Sequence, residues 1–213
     1  VMETMTDSTQ LPDRRALLQN ALQAIDDLQA KLDAAERART EPIAIIGMSC
    51  RFPGSANNPD AYWQLLREGR DAVTPAPTDR WEMADFADQN IAWYGGFLDQ
   101  IDHFDPKFFG ITPREAASVD PQQRLVLEVS WEALENAGMS PEALVGSRTG
   151  VFVGICNSDY SHLLSRASDP SLIDAYSGTG NSFSVTAGRL SFILGFRGTS
   201  LAFDTACSSS LVA

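Results

Sequence analysis

Asp204-Thr205-Ala206-Cys207-Ser208-Ser209-Ser210-Leu211-Val212-Ala213 places one cysteine where the apolar run Leu201, Ala202, Phe203 gives way to a small, hydroxyl-rich segment that reads as a helix start. A strand-to-helix turn presents a side chain outward under backbone constraint. A thiol at a helix N-terminus faces the positive end of the dipole, which favours thiolate. A thiolate can take an acyl group as a thioester, and backbone N–H groups beside it can stabilise an oxyanion. The small serines leave room for substrate. Serine is also an ordinary helix-start residue, so the local pattern alone leaves a plain structural turn as the alternative.

The other reactive residue types point elsewhere. Cys50 and Cys156 each follow an apolar run, and both are expected to be small buried hydrophobes. Three cysteines without metal-ligand spacing define neither a zinc site nor a disulfide framework. The two histidines are His103, in Asp102-His103-Phe104-Asp105, and His162, after Asp159-Tyr160-Ser161. Both are expected to be structural or exposed, and neither has metal-ligand spacing. Gly178-Thr179-Gly180-Asn181 lacks the third glycine and the lysine of a phosphate loop, and reads as a turn leading into the next helix. No cofactor-binding or metal-binding residue is assigned in this segment.

Composition narrows the function classes. The net charge of −12 over 213 residues, with no cluster of Lys and Arg, argues against a nucleic-acid surface. An apolar fraction of 44% supports a packed core. No apolar run reaches the roughly 20 residues of a membrane span, and no signal-peptide pattern opens the chain. The cytoplasm is the default location.

The elements that must position Cys207 are legible in outline. Residues 1–10 read as a flexible leader. Residues 11–40 read as a coiled-coil helix, with Leu11, Leu18, Ile25 and Leu32 at one heptad position and Ala21, Leu28 and Ala35 at the other, interrupted at Arg14. Pro12 suits its first turn and Pro42 ends it. A surface helix on its own domain is the alternative. Ile43 to Met48 reads as a strand buried on both faces. Pro59 to Gly69 reads as a helix with Asn58 as its cap. Residues 71–120 read as a long irregular region rich in Pro, Asp and aromatics. Asp120 and Pro121 open the clearest helix, which ends at Asn136-Ala137-Gly138, with Arg124 and Glu128 at pairing distance. Strands are expected at residues 149–155 and 199–203. Between them a helix from Asn181 to Gly195 carries Phe183, Ala187, Leu190 and Leu194 on one face, and Gly188 is expected to allow close packing. The alternation is that of an α/β layered fold.

Five ordered motifs resemble the β-ketoacyl synthase domain of modular type I polyketide synthases. They are Glu41-Pro42-Ile43-Ala44-Ile45-Ile46-Gly47-Met48-Ser49-Cys50-Arg51-Phe52-Pro53-Gly54, Phe108-Phe109-Gly110-Ile111-Thr112-Pro113-Arg114-Glu115-Ala116, Asp120-Pro121-Gln122-Gln123-Arg124-Leu125 continuing to Trp131-Glu132-Ala133-Leu134-Glu135, Gly178-Thr179-Gly180-Asn181, and the segment around Cys207. The resemblance covers residues 41–213, and residues 11–40 resemble the helix that precedes the first ketosynthase of many such proteins. It implies a thiolase-like fold, α/β/α/β/α in five layers and two similar halves, of which this would be the first. It implies a homodimer in which Cys207 accepts the acyl chain. A malonyl-type unit, carried on the phosphopantetheine of an acyl carrier protein, then loses CO2 and attacks the thioester. The family's two active-site histidines lie beyond Ala213, so the stretch alone is expected to be inactive. Thr199 stands where the family often has Pro, with little effect expected. Cysteine rather than Gln at 207 favours an elongating domain over a decarboxylating loading domain. Residues 11–40 would dock an upstream synthase subunit. The alternatives are a docking and dimerisation module, or a fatty-acid-type condensing enzyme.

Overall fold

Heptad spacing of leucine and isoleucine produces one uninterrupted helix, α1 (Arg14–Thr40). The computed structural model describes residues 14–80, 93–166 and 174–213. The leader at residues 1–10, and the helix positions Leu11 and Pro12, lie outside the described residues. The chain divides into two units, Val1–Ile45 and Ile46–Ala213. In the first unit, Leu17, Leu18, Leu22, Ile25, Leu28 and Leu32 of α1 are all exposed. Arg37 and Arg39 sit in its last turn, where cations complement the dipole. Among the described residues no helix is long and apolar enough to cross a membrane.

The second unit is built from capped helices around a parallel strand pair. Asn58 caps α2 (Pro59–Glu68) by accepting a hydrogen bond from the Ala61 N–H at 2.8 Å, and left-handed Gly69 (φ 60°) ends it. Within the stretch expected to be irregular, β1 (Thr74–Pro75) pairs antiparallel with β2 (Tyr94–Gly95), and Thr112 caps α3 (Pro113–Ser118). Residues 81–92 of that stretch lie outside the described residues. Asp120 caps α4 (Pro121–Asn136), and Gly138 turns left-handed just beyond it (φ 66°). After α5 (Pro141–Leu144) come β3 (Val151–Gly154), α6 (Asp159–Arg166), α7 (Ala175–Asn181), α8 (Phe183–Leu194) and β4 (Ser200–Phe203).

β3 and β4 are parallel neighbours, with Val151 opposite Ser200 and Gly154 opposite Phe203. Parallel strands need a long crossover, and among the described residues α6, α7 and α8 lie within it. Strand alternation turns Val151 and Val153 to the core and Phe152 away from it. Leu127, 1% exposed, packs at the centre of that core with Ile111, Val151, Ala187, Leu190 and Leu194. Phe108 meets the Trp131 ring edge-on at 4.7 Å, which seats the loop before α3 on α4.

Four expectations are corrected here. The run from Ile43 to Met48 is not a buried strand: Ile43 is 93% and Ile45 79% exposed, and among the described residues no ladder pairs with it. An apolar run is buried as a strand only when neighbours cover it. Gly47 and Met48 are instead held by α4: the Met48 N–H donates to Asn136 Oδ1 at 3.0 Å, and a Cβ on Gly47 would lie 2.3 Å from the Ala133 carbonyl oxygen. Asn181 belongs to α7 rather than to the next helix, because Ser182 breaks the helical run in extended conformation. Gly188 makes no close packing, since a Cβ there would meet nothing within 4 Å. Arg124 does not pair with Glu128: its guanidinium donates to the Val119 carbonyl at 2.8 Å and to the Tyr160 hydroxyl at 3.3 Å.

A charge on α4 that does find an ion-pair partner is Glu132. Arg51 grips its carboxylate with both terminal nitrogens, and the Ser49 hydroxyl donates to it at 2.6 Å. The Arg51 hydrogen bonds hold the Glu132 carboxyl below its ordinary 4.5. A depressed carboxyl stabilises the fold above the unfolded pKa, and that contribution is lost as pH falls through the lower folded value. Glu132→Gln is therefore expected to reduce stability at neutral pH and to flatten the loss on acidification below 4.5. Urea unfolding midpoints from about pH 6 to about pH 3 measure this, and parallel curves for the two proteins would exclude the linkage. Burial pushes Glu128 upward, so the comparison is made between wild type and variant.

Candidate active site

At the carbonyl end of β4 the chain makes a short, heavily braced turn. The Asp204 carboxylate accepts from the Ala206 N–H at 3.1 Å. Ala206 is left-handed (φ 53°), a conformation that costs about 1 kcal/mol or more outside glycine. A 3-10 turn, Ala206–Ser208, carries Cys207 and runs into α9 (Ser209–Val212). The Ser208 hydroxyl donates to the Thr205 carbonyl at 2.8 Å. Ser209, 5% exposed, donates to the Ala206 carbonyl at 2.7 Å and accepts from the Thr205 N–H at 2.9 Å. The sequence leaves these serines as either room for substrate or ordinary helix-start residues. Their geometry makes two of them the bolts of the turn. The Cys207 thiol is exposed.

β3 delivers a second segment to the same end of the sheet. The Ile155 N–H donates to the Phe203 carbonyl at 3.0 Å, the last rung before both strands leave the ladder. Gly154 abuts the start of α9: a Cβ there would lie 2.7 Å from the Ser209 carbonyl carbon. Cys156 is exposed, against expectation, because Ile155 takes the inward position and the next residue of an extended chain points the other way. Cys50 is half-buried, its thiol 4.0 Å from the Ala56 carbonyl oxygen, and burial pushes its pKa up. His103 and His162 are both exposed. An open cavity of about 900 Å³ lies beside the loop after β3, lined among others by Gln122, Asn157, Tyr160 and His162. Among the described residues no cluster of three or more His, Cys, Asp or Glu side chains could hold a metal ion.

Gly178-Thr179-Gly180-Asn181 is part of α7 rather than a turn, with Asp174 and Ser177 forming a capping box at its start. A Cβ on Gly180 would lie 2.2 Å from the Ser118 carbonyl oxygen, so glycine lets α7 dock on the corner between α3 and α4. The Gly180 carbonyl accepts from the Asp120 N–H at 2.9 Å, and the Asn181 amide donates to the Ser118 carbonyl at 3.1 Å. Buried Gln123 and Arg189 complete this joint: Arg189 donates to Gln123 Oε1 at 3.0 Å and to Glu115 at 2.5 Å. Sequence reasoning gave neither residue this role: Gln123 stood only as part of the Asp120–Leu125 motif, and Arg189 was not singled out.

Comparison with known proteins agrees with this arrangement. Residues 40–213 match the model of the family described as beta-ketoacyl synthase, N-terminal domain. The chain is 50% identical over 218 aligned residues, 98% of its length, to a phenolphthiocerol/phthiocerol polyketide synthase subunit of Mycobacterium tuberculosis, and covers 10% of that protein. The ketosynthase from module 6 of the bacillaene synthase of Bacillus subtilis 168 superposes with a TM-score of 0.68 at 40% identity, over 79% of this chain and 27% of that one. The oxazolomycin ketosynthase domain from Streptomyces albus JA3453 gives a TM-score of 0.68 at 37% identity, over 79% and 30%. The fold is thus thiolase-like, the ketosynthase class of α/β protein. The chain belongs to the β-ketoacyl synthase family, matching its N-terminal domain, and it spans about a tenth of the length of the curated polyketide synthase relatives it matches.

Proposed function

We propose that this chain is the nucleophile-bearing part of a polyketide ketosynthase and that Cys207 is its acyl acceptor. The observation that carries the reading is an exposed thiol on a strained, serine-braced turn at the carbonyl end of a parallel strand. The Cys207 thiolate attacks the carbonyl of an acyl thioester on an acyl carrier protein. The new C–S bond forms, and the phosphopantetheine thiolate leaves and takes up a proton. A malonyl-type unit on a carrier protein then loses CO2, and the resulting enolate attacks the Cys207 thioester. A C–C bond forms, the Cys207 C–S bond breaks, and a chain two carbons longer leaves on the carrier. The working protein is a cytoplasmic homodimer in this reading. Its test is acylation of the complete synthase by a simple acyl thioester, with the adduct mapped by peptide mass spectrometry. An adduct on Cys207 supports the reading, and acylation confined to other residues excludes it.

A second role is favoured by the exposed apolar stripe of α1. Residues 11–40 act as a coiled coil that pairs two copies and docks an upstream synthase subunit. Leu28→Asp with Leu32→Asp puts charge into that seam, and is expected to weaken dimerisation or docking by at least about tenfold. Sedimentation and subunit-binding assays read this, and no change in either would leave α1 a surface helix.

A further inference from the structure

The turn carrying Cys207 and the loop after β3 leave the sheet side by side. Their last shared rung is the Ile155 N–H to Phe203 carbonyl bond, and Gly154 touches the backbone of Ser209. The loop does not hang free beyond that point. The Gln122 side-chain amide donates to the Asn157 carbonyl at 2.8 Å. The same amide donates to the Asp120 carboxylate at 3.2 Å, and Asp120, 5% exposed, also accepts from the Gln122 N–H at 2.8 Å. A buried carboxylate thus orients the group that holds the loop. Three residues on, the Tyr160 hydroxyl donates to the Ala117 carbonyl at 2.6 Å, and the Arg124 guanidinium lies 5.6 Å from the centre of its ring. Both anchors end on the α3–α4 corner, to which α7 is also hydrogen-bonded.

We propose that Gln122 and Tyr160 are positioning residues: together they clamp the loop after β3 against the α3–α4 corner, so that it forms a fixed wall beside Cys207 and sets which acyl chains the thioester accommodates. The inference rests on the reading of Cys207 as acyl acceptor. Neither side chain takes part in the transfer. Each acts through the loop, and loosening the wall changes the fit of long chains more than that of short ones.

The experiment uses the complete synthase with acetyl and octanoyl thioesters of N-acetylcysteamine, following acylation of the Cys207 peptide by mass. Gln122→Ala and Tyr160→Phe are compared with wild type, the second keeping the ring and its packing. Each variant is expected to change the octanoyl-to-acetyl ratio of kcat/KM by about tenfold. Because both act on one loop, the double variant is expected to change the ratio by less than the product of the two. An unchanged ratio, with or without a lower melting midpoint, overturns the inference and leaves a structural bond only. Failure of the unaltered protein to form any Cys207 adduct overturns the reading beneath it as well.

Discussion

Cys207→Ala is expected to remove both the acyl adduct and chain elongation from the complete synthase, lowering turnover by at least about a thousandfold. The residue is exposed and held by neighbours that do not use its thiol: the bonds of the turn run between Asp204, Thr205, Ala206, Ser208 and Ser209. Alanine therefore leaves the turn intact while deleting its one thiol, the group proposed to hold the acyl chain. The melting midpoint is expected to stay within a few degrees of wild type, as for surface substitutions that break no bond. A variant that still elongates would end the proposal, whatever its stability.

Gly154→Ala tests the same site from its supporting side. Glycine within a strand costs conformational entropy, so alanine there would ordinarily stabilise by up to about 1 kcal/mol. Here the added Cβ would lie 2.7 Å from the Ser209 carbonyl carbon and 2.8 Å from the Ser210 nitrogen, and both are backbone atoms that cannot rotate aside. The start of α9 must move, and Cys207 lies two residues before it. The expected result is a loss of about 1–3 kcal/mol in stability, the scale of overpacking, together with a fall of about a hundredfold in acylation from displacement of the thiol. Gly178→Ala is the matched control: it lies within α7, where a Cβ would meet nothing within 4 Å. Helix propensity makes that change neutral or stabilising. Denaturant melts of the two variants, run beside acyl-adduct formation, give the comparison. If Gly154→Ala were as stable and as active as Gly178→Ala, the close approach would carry no weight.

The candidate site divides into a part written locally and a part assembled from a distance. The turn that carries Cys207 was legible because a thiol at the end of an apolar run and the start of a small polar one is a local pattern. The bracing was not. Which serine bolts which carbonyl depends on the left-handed backbone of Ala206, and that follows from no propensity of alanine. The anchoring of the loop after β3 was also invisible, since Gln122 and Asn157 are 35 residues apart and Tyr160 and Ala117 are 43 apart. Cys156 was misread because an apolar run predicts burial, whereas the direction of a side chain past the last ladder rung is decided by the residue before it.

What the sequence by itself determined are the features encoded within short stretches of chain: the Asn58 and Asp120 caps, the glycine stops at Gly69 and Gly195, the positions of two strands, and a thiol at the exit of the second. Tertiary structure decided the choices among partners. Arg124 had a carboxylate one turn away and took the Val119 carbonyl and the Tyr160 hydroxyl. Glu132 took Arg51 from a segment 81 residues distant. Gly180 served a helix-docking contact instead of a loop. The run from Ile43 to Met48 had the composition of a strand, yet no strand forms there among the described residues. Caps and turns satisfy backbone groups locally, so sequence alone specifies them. A ladder, an ion pair or a helix contact requires a second surface, and only the folded chain brings one into place.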